Sequence, residues 1–163
     1  MAPAAGEYAR RTLDQFGKDF AKYFRGDLIV KDDRDISESD IANRNLILFG
    51  DPGSNSLIAR ILPKLPLRWT ADTIAIGAKK FDAARHVPAL IYPNPLNPSK
   101  YIVINSGHTF HEAELNSLNY LLFPRLGDWA LLKVSGRAPA DPSDALEEEV
   151  RRAGFFDERW RAR

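Results

Sequence analysis

The sequence predicts a three-layer αβα domain with a mostly parallel sheet, in a flavodoxin-like or Rossmann-like order. Two segments each run from an apolar strand through a short polar loop into a helical pattern: residues 45–62, NLILFGDPGSNSLIARIL, and residues 101–122, YIVINSGHTFHEAELNSLNYLL. Their strands are continuously apolar, as in parallel strands that are buried on both faces. Strands and helices also alternate along the chain with short turns, which is typical of α/β domains. The short segments within residues 67–76 can add an antiparallel edge.

Composition narrows the class of protein. With 163 residues, 44% of them hydrophobic and 28% charged, the chain has the size and make-up of one globular domain. A formal net charge of +1 gives no overall field that would attract nucleic acid or a membrane, so we expect neither as a partner. The lack of cysteine excludes a disulfide framework, a thiolate zinc site and a cysteine nucleophile. No apolar run approaches the ~20 residues that cross a bilayer, and the first residues lack the pattern of a secretory signal, so we expect a soluble chain.

Three regions are expected along the chain. Residues 1–26 form an amphipathic helix that packs on this domain or on a neighbour, because an aromatic-rich stripe recurs at helical spacing. Residues 27–136 form the α/β domain, and residues 137–163 form a C-terminal helix and docking tail. The stripe of the first helix lies within residues 7–24 and consists of Leu13, Phe16, Phe20, Tyr23 and Phe24.

Local patterns predict the elements of the α/β domain. Residues 27–31 (DLIVK) predict a short strand, and Ser37 with Asp40 three residues later predicts a capped helical turn. The three prolines of residues 92–99 (YPNPLNPS) exclude a helix or a central strand and predict an extended connector. Further strands are expected at residues 46–49, 67–69, 73–76, 89–92, 101–105 and 129–134, helices at residues 55–62 and 109–122, and a turn or edge at residues 78–82.

The last region has the signals of a helix followed by a docking tail. Asp141 and Pro142 suit its N-cap and first helical position, and Gly154 suits its end. The aromatic residues beyond it are too apolar for a free tail, so we expect them to dock on this domain or on a neighbour. They are Phe155, Phe156 and Trp160.

The loop after the first strand is the first candidate binding site. It lacks both the GxGxxG spacing of dinucleotide-binding loops and the GK[ST] ending of phosphate-binding loops. Two interpretations remain. Its glycines and the first amides of the helix can receive an anionic ligand, or the glycines shape a tight turn while Ser54 or Asn55 caps the helix. The ligand-binding candidates in this loop are Asp51, Gly53, Ser54 and Asn55.

The loop after the second buried strand is the richer candidate. It offers Asn105 for ligand binding and Ser106, His108, His111 and Glu112 for catalysis, because His titrates near neutral pH and Glu can orient it. The spacing HTFHE does not match the HExxH zinc motif, and the serine is outside a GxSxG elbow. We therefore expect no metal and no cofactor here. The alternative is that both His residues are ordinary polar residues at the start of a helix.

Five stretches carry a family resemblance over about residues 27–160: NLILFGDPGSN, LPKLPLRW, PALIYPNPLNPSKYIVINSGHTFHE, FPRLGDWALLKV and GFFDERW. They resemble a region of large bacterial proteins that follows an α/β-hydrolase domain of the prolyl-oligopeptidase or dienelactone-hydrolase-like esterase type. The resemblance implies a carboxy-terminal α/β accessory domain of a serine hydrolase that is exported in its parent form. The family's serine elbow lies in the preceding domain, so no triad residue is carried over to this chain.

The leading hypothesis is therefore an accessory domain that docks or binds a ligand beside a serine hydrolase and lacks its own serine elbow. Its expected partners are an upstream α/β-hydrolase domain and a small-molecule ligand of open identity. Two alternatives remain. One is a small stand-alone hydrolase or lyase with a polar His/Ser/Asn pocket. The other is an oligomerisation module that uses the first helix and the aromatic tail.

Overall fold

The computed structural model describes residues 2–106, 126–134 and 148–162. These residues contain three α-helices and eight β-strands. The helices are α1 (Pro3–Asp19), α2 (Glu38–Asn43) and α3 (Ser56–Ile61). The strands are β1 (Leu46–Leu48), β2 (Leu67–Trp69), β3 (Thr73–Ile76), β4 (Lys79–Asp82), β5 (His86–Asn94), β6 (Asn97–Ile104), β7 (Trp129–Val134) and β8 (Glu148–Gly154). A π-helical turn, Phe20–Phe24, extends α1, and short 3-10 turns lie at Asp33–Asp35 and Leu62–Lys64.

The strands form two sheets that are mostly antiparallel. The larger has the order β1-β6-β5-β7-β8, and within it β1 and β6 are parallel while the other three pairs are antiparallel. The smaller sheet, β2-β3-β4, is antiparallel throughout. The predicted three-layer, mostly parallel flavodoxin-like or Rossmann-like fold is therefore wrong. Two or three residues separate each strand from the next between β2 and β6, whereas a parallel connection needs a dozen or more.

The proline-rich stretch 92–99 is a hairpin rather than the connector that its prolines predicted. Strand β5 continues to Asn94 and β6 begins at Asn97, and β5 lies in the middle of the larger sheet. The register of this hairpin shifts between Pro93 and Asn94. A bulge interrupts the ladder locally, and such an irregularity is where a strand tolerates a residue that has no N–H to donate.

Two other predicted elements differ from the structure. Residues 27–31, predicted as a strand, are in no helix or strand, and the predicted C-terminal helix is in part β8, which pairs antiparallel with β7. Charged residues suit this edge position, since Lys133 lies opposite Glu149 with 3.8 Å between Nζ and Oε2. The cross-strand pairing thus overrides the helix signals of the sequence. The predicted helix over residues 109–122 lies outside the described residues.

The larger sheet separates two groups of buried apolar residues. On one side α3 and the smaller sheet contribute Ile58, Ile61 and Ile74 to a cluster with Ile102 and Ile104. The other cluster holds α1 against the sheet through Ala5 and Tyr8. The first helix thus packs on this domain through its first turns and not through the predicted aromatic stripe, whose Phe24 is 58% exposed. No helix in the described part of the chain is long and apolar enough to cross a membrane.

Candidate functional site

The two polar loops singled out in the sequence meet at one end of the larger sheet. Strands β1 and β6 are parallel neighbours, with Leu48 in register with Ile104, so the loops that follow them leave from the same edge. The Asn105 amide donates to the Leu48 carbonyl over 2.8 Å, which extends the ladder by one residue. This parallel pair is the part of the predicted α/β arrangement that places the loops together.

Asn105 joins the two loops through its side chain. Its Oδ1 accepts from the Gly50 amide and its Nδ2 donates to the Gly50 carbonyl, both over 2.8 Å, and Nδ2 also reaches the Pro88 carbonyl at 3.4 Å. The residue is fully buried and has a φ of +49°. Asn adopts this left-handed conformation more readily than most residues with a side chain. A predicted ligand-binding residue therefore serves here as a brace between β1 and β6.

Asn55 caps α3, as one of the two interpretations of its loop predicted. Its Oδ1 accepts from the amides of Leu57 and Ile58 at 3.0 and 3.1 Å, and its Nδ2 donates to the Phe49 carbonyl at 3.1 Å. The remaining early amide, that of Ser56, donates to the Asp33 carboxylate at 2.8 Å. The first amides of the helix, where one of the two interpretations placed an anionic ligand, are thus satisfied by side chains of the chain itself.

Asp33 was not singled out in the sequence, although it supplies the charge at this helix end. Its Oδ2 accepts from both the amide and the hydroxyl of Ser56, and these hydrogen bonds hold the pKa of the Asp33 carboxyl below its usual value. The two residues are separated by 23 positions. An acidic residue in a breaker-rich stretch gave no local signal of this contact, which depends on how the chain folds back.

The other candidates of the first loop bond to one another. Asp51 Oδ1 accepts from the Gly53 amide, and Ser54 Oγ accepts from the Asp51 amide, each over 3.0 Å. Gly53 and Ser54 are exposed, and Asp51 is half-buried. These contacts close a tight turn that precedes α3.

The catalytic candidates fall mostly outside the described residues. Ser106 is buried and directly follows Asn105, so it lies at the edge where the two loops meet. His108, His111 and Glu112 are not described, and their roles stay predictions. Within residues 2–106, 126–134 and 148–162, no three His, Asp or Glu side chains are grouped closely enough to hold a metal ion.

A groove of about 560 Å³ lies beside β1, on the side away from β6. It has the volume of many ligand sites and a mainly apolar lining. The first helix with its π-helical extension, residues 27–31 and β1 all contribute to its lining. The apolar lining includes Leu13, Phe16, Phe20, Leu28, Ile29, Val30, Ile47 and Leu57. Hydrophobic patterns predict the helix and β1 separately, but nothing in those patterns indicates that the two line one groove.

Asp40 is the most strongly perturbed carboxyl group along this groove. Lys31 Nζ donates to its Oδ2 over 2.8 Å, and the hydroxyl and amide of Ser37 donate to the same oxygen at 2.7 and 3.0 Å. The Lys31 contact first, and then the Ser37 contacts, hold the pKa of Asp40 well below its usual range. Ser37 in turn accepts from the Asp40 amide, so the predicted capping box is confirmed.

We expect the contribution of Asp40 to stability to disappear in acid. Because its pKa is lower in the folded chain than in the unfolded one, the carboxylate stabilises the fold above about pH 4 and loses this effect as the pH falls further. Asp40→Asn should therefore be less stable than the wild type at pH 7, and the difference should shrink steadily below about pH 4. Urea denaturation at a series of pH values measures it. Asp35→Asn, which changes an exposed carboxyl of the same stretch, is the matched control, and a difference that stays constant down to pH 3 would contradict the assignment.

The C-terminal tail docks on its own domain. Phe156 and Trp160 each meet Tyr92 of β5 edge to face, with ring centroids 5.5 and 5.6 Å apart, and Tyr101 of β6 is 5.9 Å from Trp160. Asp157 closes the turn by accepting from the amides of Arg159 and Arg161 at 2.9 Å. Of the apolar residues expected to dock, Phe155 alone is largely exposed, at 69%.

Comparison of the chain with protein-family models, with curated proteins and with solved structures found no match. The resemblance to the region that follows esterase and peptidase domains therefore stays a prediction carried by the quoted stretches. The geometry of the site itself consists of two braced loops at one sheet edge and an open groove next to them.

Proposed function

We propose that this chain is a non-catalytic accessory domain that binds a partner and works beside a serine hydrolase of the esterase or peptidase type. One observation carries the first half of the proposal. Three polar side chains at the shared end of β1 and β6 are bonded to the backbone of the fold: Asn105 to Gly50, Asn55 to the amides of α3, and Asp33 to Ser56. Groups held this way stabilise the loops and are not available to position a reacting molecule.

The groove beside β1 supports binding as the activity. It is open and lined mainly by apolar side chains, while two of its charged groups, Asp33 and Asp40, are engaged by neighbours in the chain. A surface of this kind favours contact with a partner over acid–base chemistry. The second half of the proposal, the association with a hydrolase, is supported by the resemblance of the five sequence stretches.

Ester hydrolysis tests the first half. The purified chain is expected to hydrolyse p-nitrophenyl butyrate no faster than buffer, and Ser106→Ala and His108→Ala are expected to behave like the wild type. Turnover that either substitution abolishes would overturn the proposal. The second half is tested on the coding region around this chain: a hydrolase domain with a GxSxG elbow beside it is expected, and an unrelated partner would refute the association.

A small hydrolase or lyase is the second candidate, and one observation favours it. The parallel pairing of β1 and β6 brings the two loops to the same edge, where Gly50 and Asn105 are in contact and Ser106 follows. This convergence is what a site shared by both loops requires. The same assay separates the two candidates, since this one requires turnover that depends on Ser106 or His108.

A further inference from the structure

The outer edge of β1 has no strand beside it in the described part of the chain. β1 is the first strand in the order β1-β6-β5-β7-β8, and its Leu48 directs its carbonyl to β6, where the Asn105 amide donates to it. Successive residues of a strand direct their backbone groups to opposite edges, so the N–H and C=O of Ile47 point away from β6. The Ile47 side chain is 38% exposed. An open strand edge of this kind is a template for another strand.

A second strand-like segment, residues 27–31, lines the same groove as this edge. Residues 27–31 have a sequence typical of a strand, yet they are in none, and no backbone hydrogen bond to β1 is found among the described residues. Their side chains Ile29 and Val30 are 67% and 62% exposed, and both line the same groove as β1. Ile29, Val30 and Ile47 therefore bring three β-branched side chains to one apolar groove.

The polar groups that remain in the groove suit a peptide main chain. The Asp40 and Asp33 carboxylates are engaged by Lys31 and Ser56, and Asn55 is engaged by α3. The backbone of Ile47 offers a donor and an acceptor along one line. A backbone donor and acceptor at a strand edge, with apolar positions on either side, suit an extended peptide, whereas small-molecule sites place a few side-chain groups around one point.

The acidic side chains at and near the groove favour a peptide with basic residues on either side of its apolar segment. The charged residues that line the groove are Asp27, Asp33 and Asp40 against Lys31 and Arg44, and both cations lie within 3.5 Å of Asp40. Next to the groove, residues 27–35 add two further aspartates and one arginine. Asp27, Asp32 and Asp35 are exposed on this stretch. Carboxylates at the rim attract a basic partner and repel an acidic one, which gives specificity as well as a faster encounter.

We propose that this groove takes up an extended peptide segment of a partner protein, with alternating β-branched residues and basic flanks, which pairs with β1 as an added strand. This inference rests on the proposed function, because it names the class of partner that the accessory domain binds. The added strand covers the edge of the larger sheet and fills the gap in front of residues 27–31. Specificity comes from the side chains of the peptide, and the main-chain hydrogen bonds to Ile47 fix its register.

Fluorescence anisotropy with a synthetic probe tests the proposal. The probe is a fluorescein-labelled peptide in which Val and Thr alternate over five residues between two pairs of lysines. The full chain is expected to bind it, and binding should weaken at least tenfold when alternate amides of the probe are methylated or when the lysines are replaced by glutamates. Equal binding of all three peptides, or no binding of the first, would overturn the proposal.

Ile47→Pro tests the strand pairing in the protein. Proline removes the N–H that points outward and leaves the ladder between β1 and β6 intact, as edge strands tolerate. We expect at least a tenfold loss of affinity, with Ile47→Val as the conservative control. Val30→Ser changes another exposed side chain of the groove and should also weaken binding, so it serves as the test if Ile47→Pro does not fold. Phe155→Ser changes a similarly exposed side chain outside the groove and should leave binding unchanged. Unchanged affinity in both groove variants would overturn the proposal.

Other occupants would show themselves in the same experiments. A concentration-dependent dimer in sedimentation that Ile47→Pro abolishes would assign the edge to a second copy of this chain and overturn the proposal. Tight binding of a fluorescent fatty acid, unaffected by Ile47→Pro and without peptide binding, would assign the groove to a small apolar ligand. If the peptide does not bind and the chain hydrolyses no ester, only this inference is wrong. If the chain hydrolyses esters and Ser106→Ala abolishes the activity, the proposed function is wrong.

Discussion

Replacing Asn105 with alanine is expected to lower the free energy of unfolding by about 3 kcal/mol or more. The substitution removes both hydrogen bonds between the side-chain amide and Gly50 and leaves a buried N–H and a buried C=O without these partners. Each unsatisfied group costs about 1–3 kcal/mol. The φ of +49° adds about 1 kcal/mol for alanine, because its Cβ crowds the backbone in this region. Urea denaturation followed by the fluorescence of the buried Trp69 and Trp129 measures the change.

Three variants separate the causes of this loss. Asn105→Asp keeps the acceptor for the Gly50 amide but cannot donate to the Gly50 carbonyl, so it should remain well below the wild type in stability. Asn105→Gly removes the side chain without backbone strain and should exceed the alanine variant by about 1 kcal/mol. Asn97→Ala, which removes 3.1 and 3.0 Å bonds to the carbonyls of Ile41 and Ala42 at a half-buried site, should cost about 1 kcal/mol or less. If Asn105→Ala were as mild as Asn97→Ala, the brace would have no special role.

Elements whose signals are local were predictable from the sequence. Strand β1, helix α3 with its Asn55 cap, the Ser37–Asp40 capping box and strands β2, β3 and β7 follow from hydrophobic patterns and cap residues a few positions apart. Their partners did not follow, because strand pairing is decided between distant residues. The length of the connections does indicate how some strands pair, because the two residues between β5 and β6 allow only an antiparallel hairpin.

In the candidate site, too, the features with local sequence signals were predictable and those that depend on distant contacts were not. The polar loops could be located from sequence, since each follows an apolar run, and the parallel pairing of β1 with β6 does bring them together. The role of Asn105 could not be predicted, because its partner Gly50 is 55 residues away and the interaction depends on their backbone geometry. The groove exists because residues 27–31 lie near β1 without pairing with it as a strand. A sequence pattern that predicts a strand does not show which strand it will pair with, or whether it will pair at all.

Gly127→Ala is expected to destabilise the chain by about 2–4 kcal/mol, because the strands meet too closely for a methyl group at this point. A Cβ built at this position would lie 2.2 Å from the carbonyl oxygen of Gly154 and 2.8 Å from its carbonyl carbon. These are backbone atoms at the end of β8, where Gly154 is in register with Trp129 of β7. They cannot move aside without disturbing the pairing of the two strands, whereas a flexible side chain could.

Gly17→Ala is the matched control and should change stability in the opposite direction. Gly17 lies within α1, and a Cβ there would have no heavy atom within 4 Å. Alanine should therefore stabilise the chain by about 0.5–1 kcal/mol, because it restricts the unfolded chain and favours the helix. Both variants are compared with the wild type by urea denaturation at one pH. A loss below about 1 kcal/mol for Gly127→Ala would mean that β8 yields readily at Gly154, and the edge formed by β8 would then be a weakly held part of the sheet.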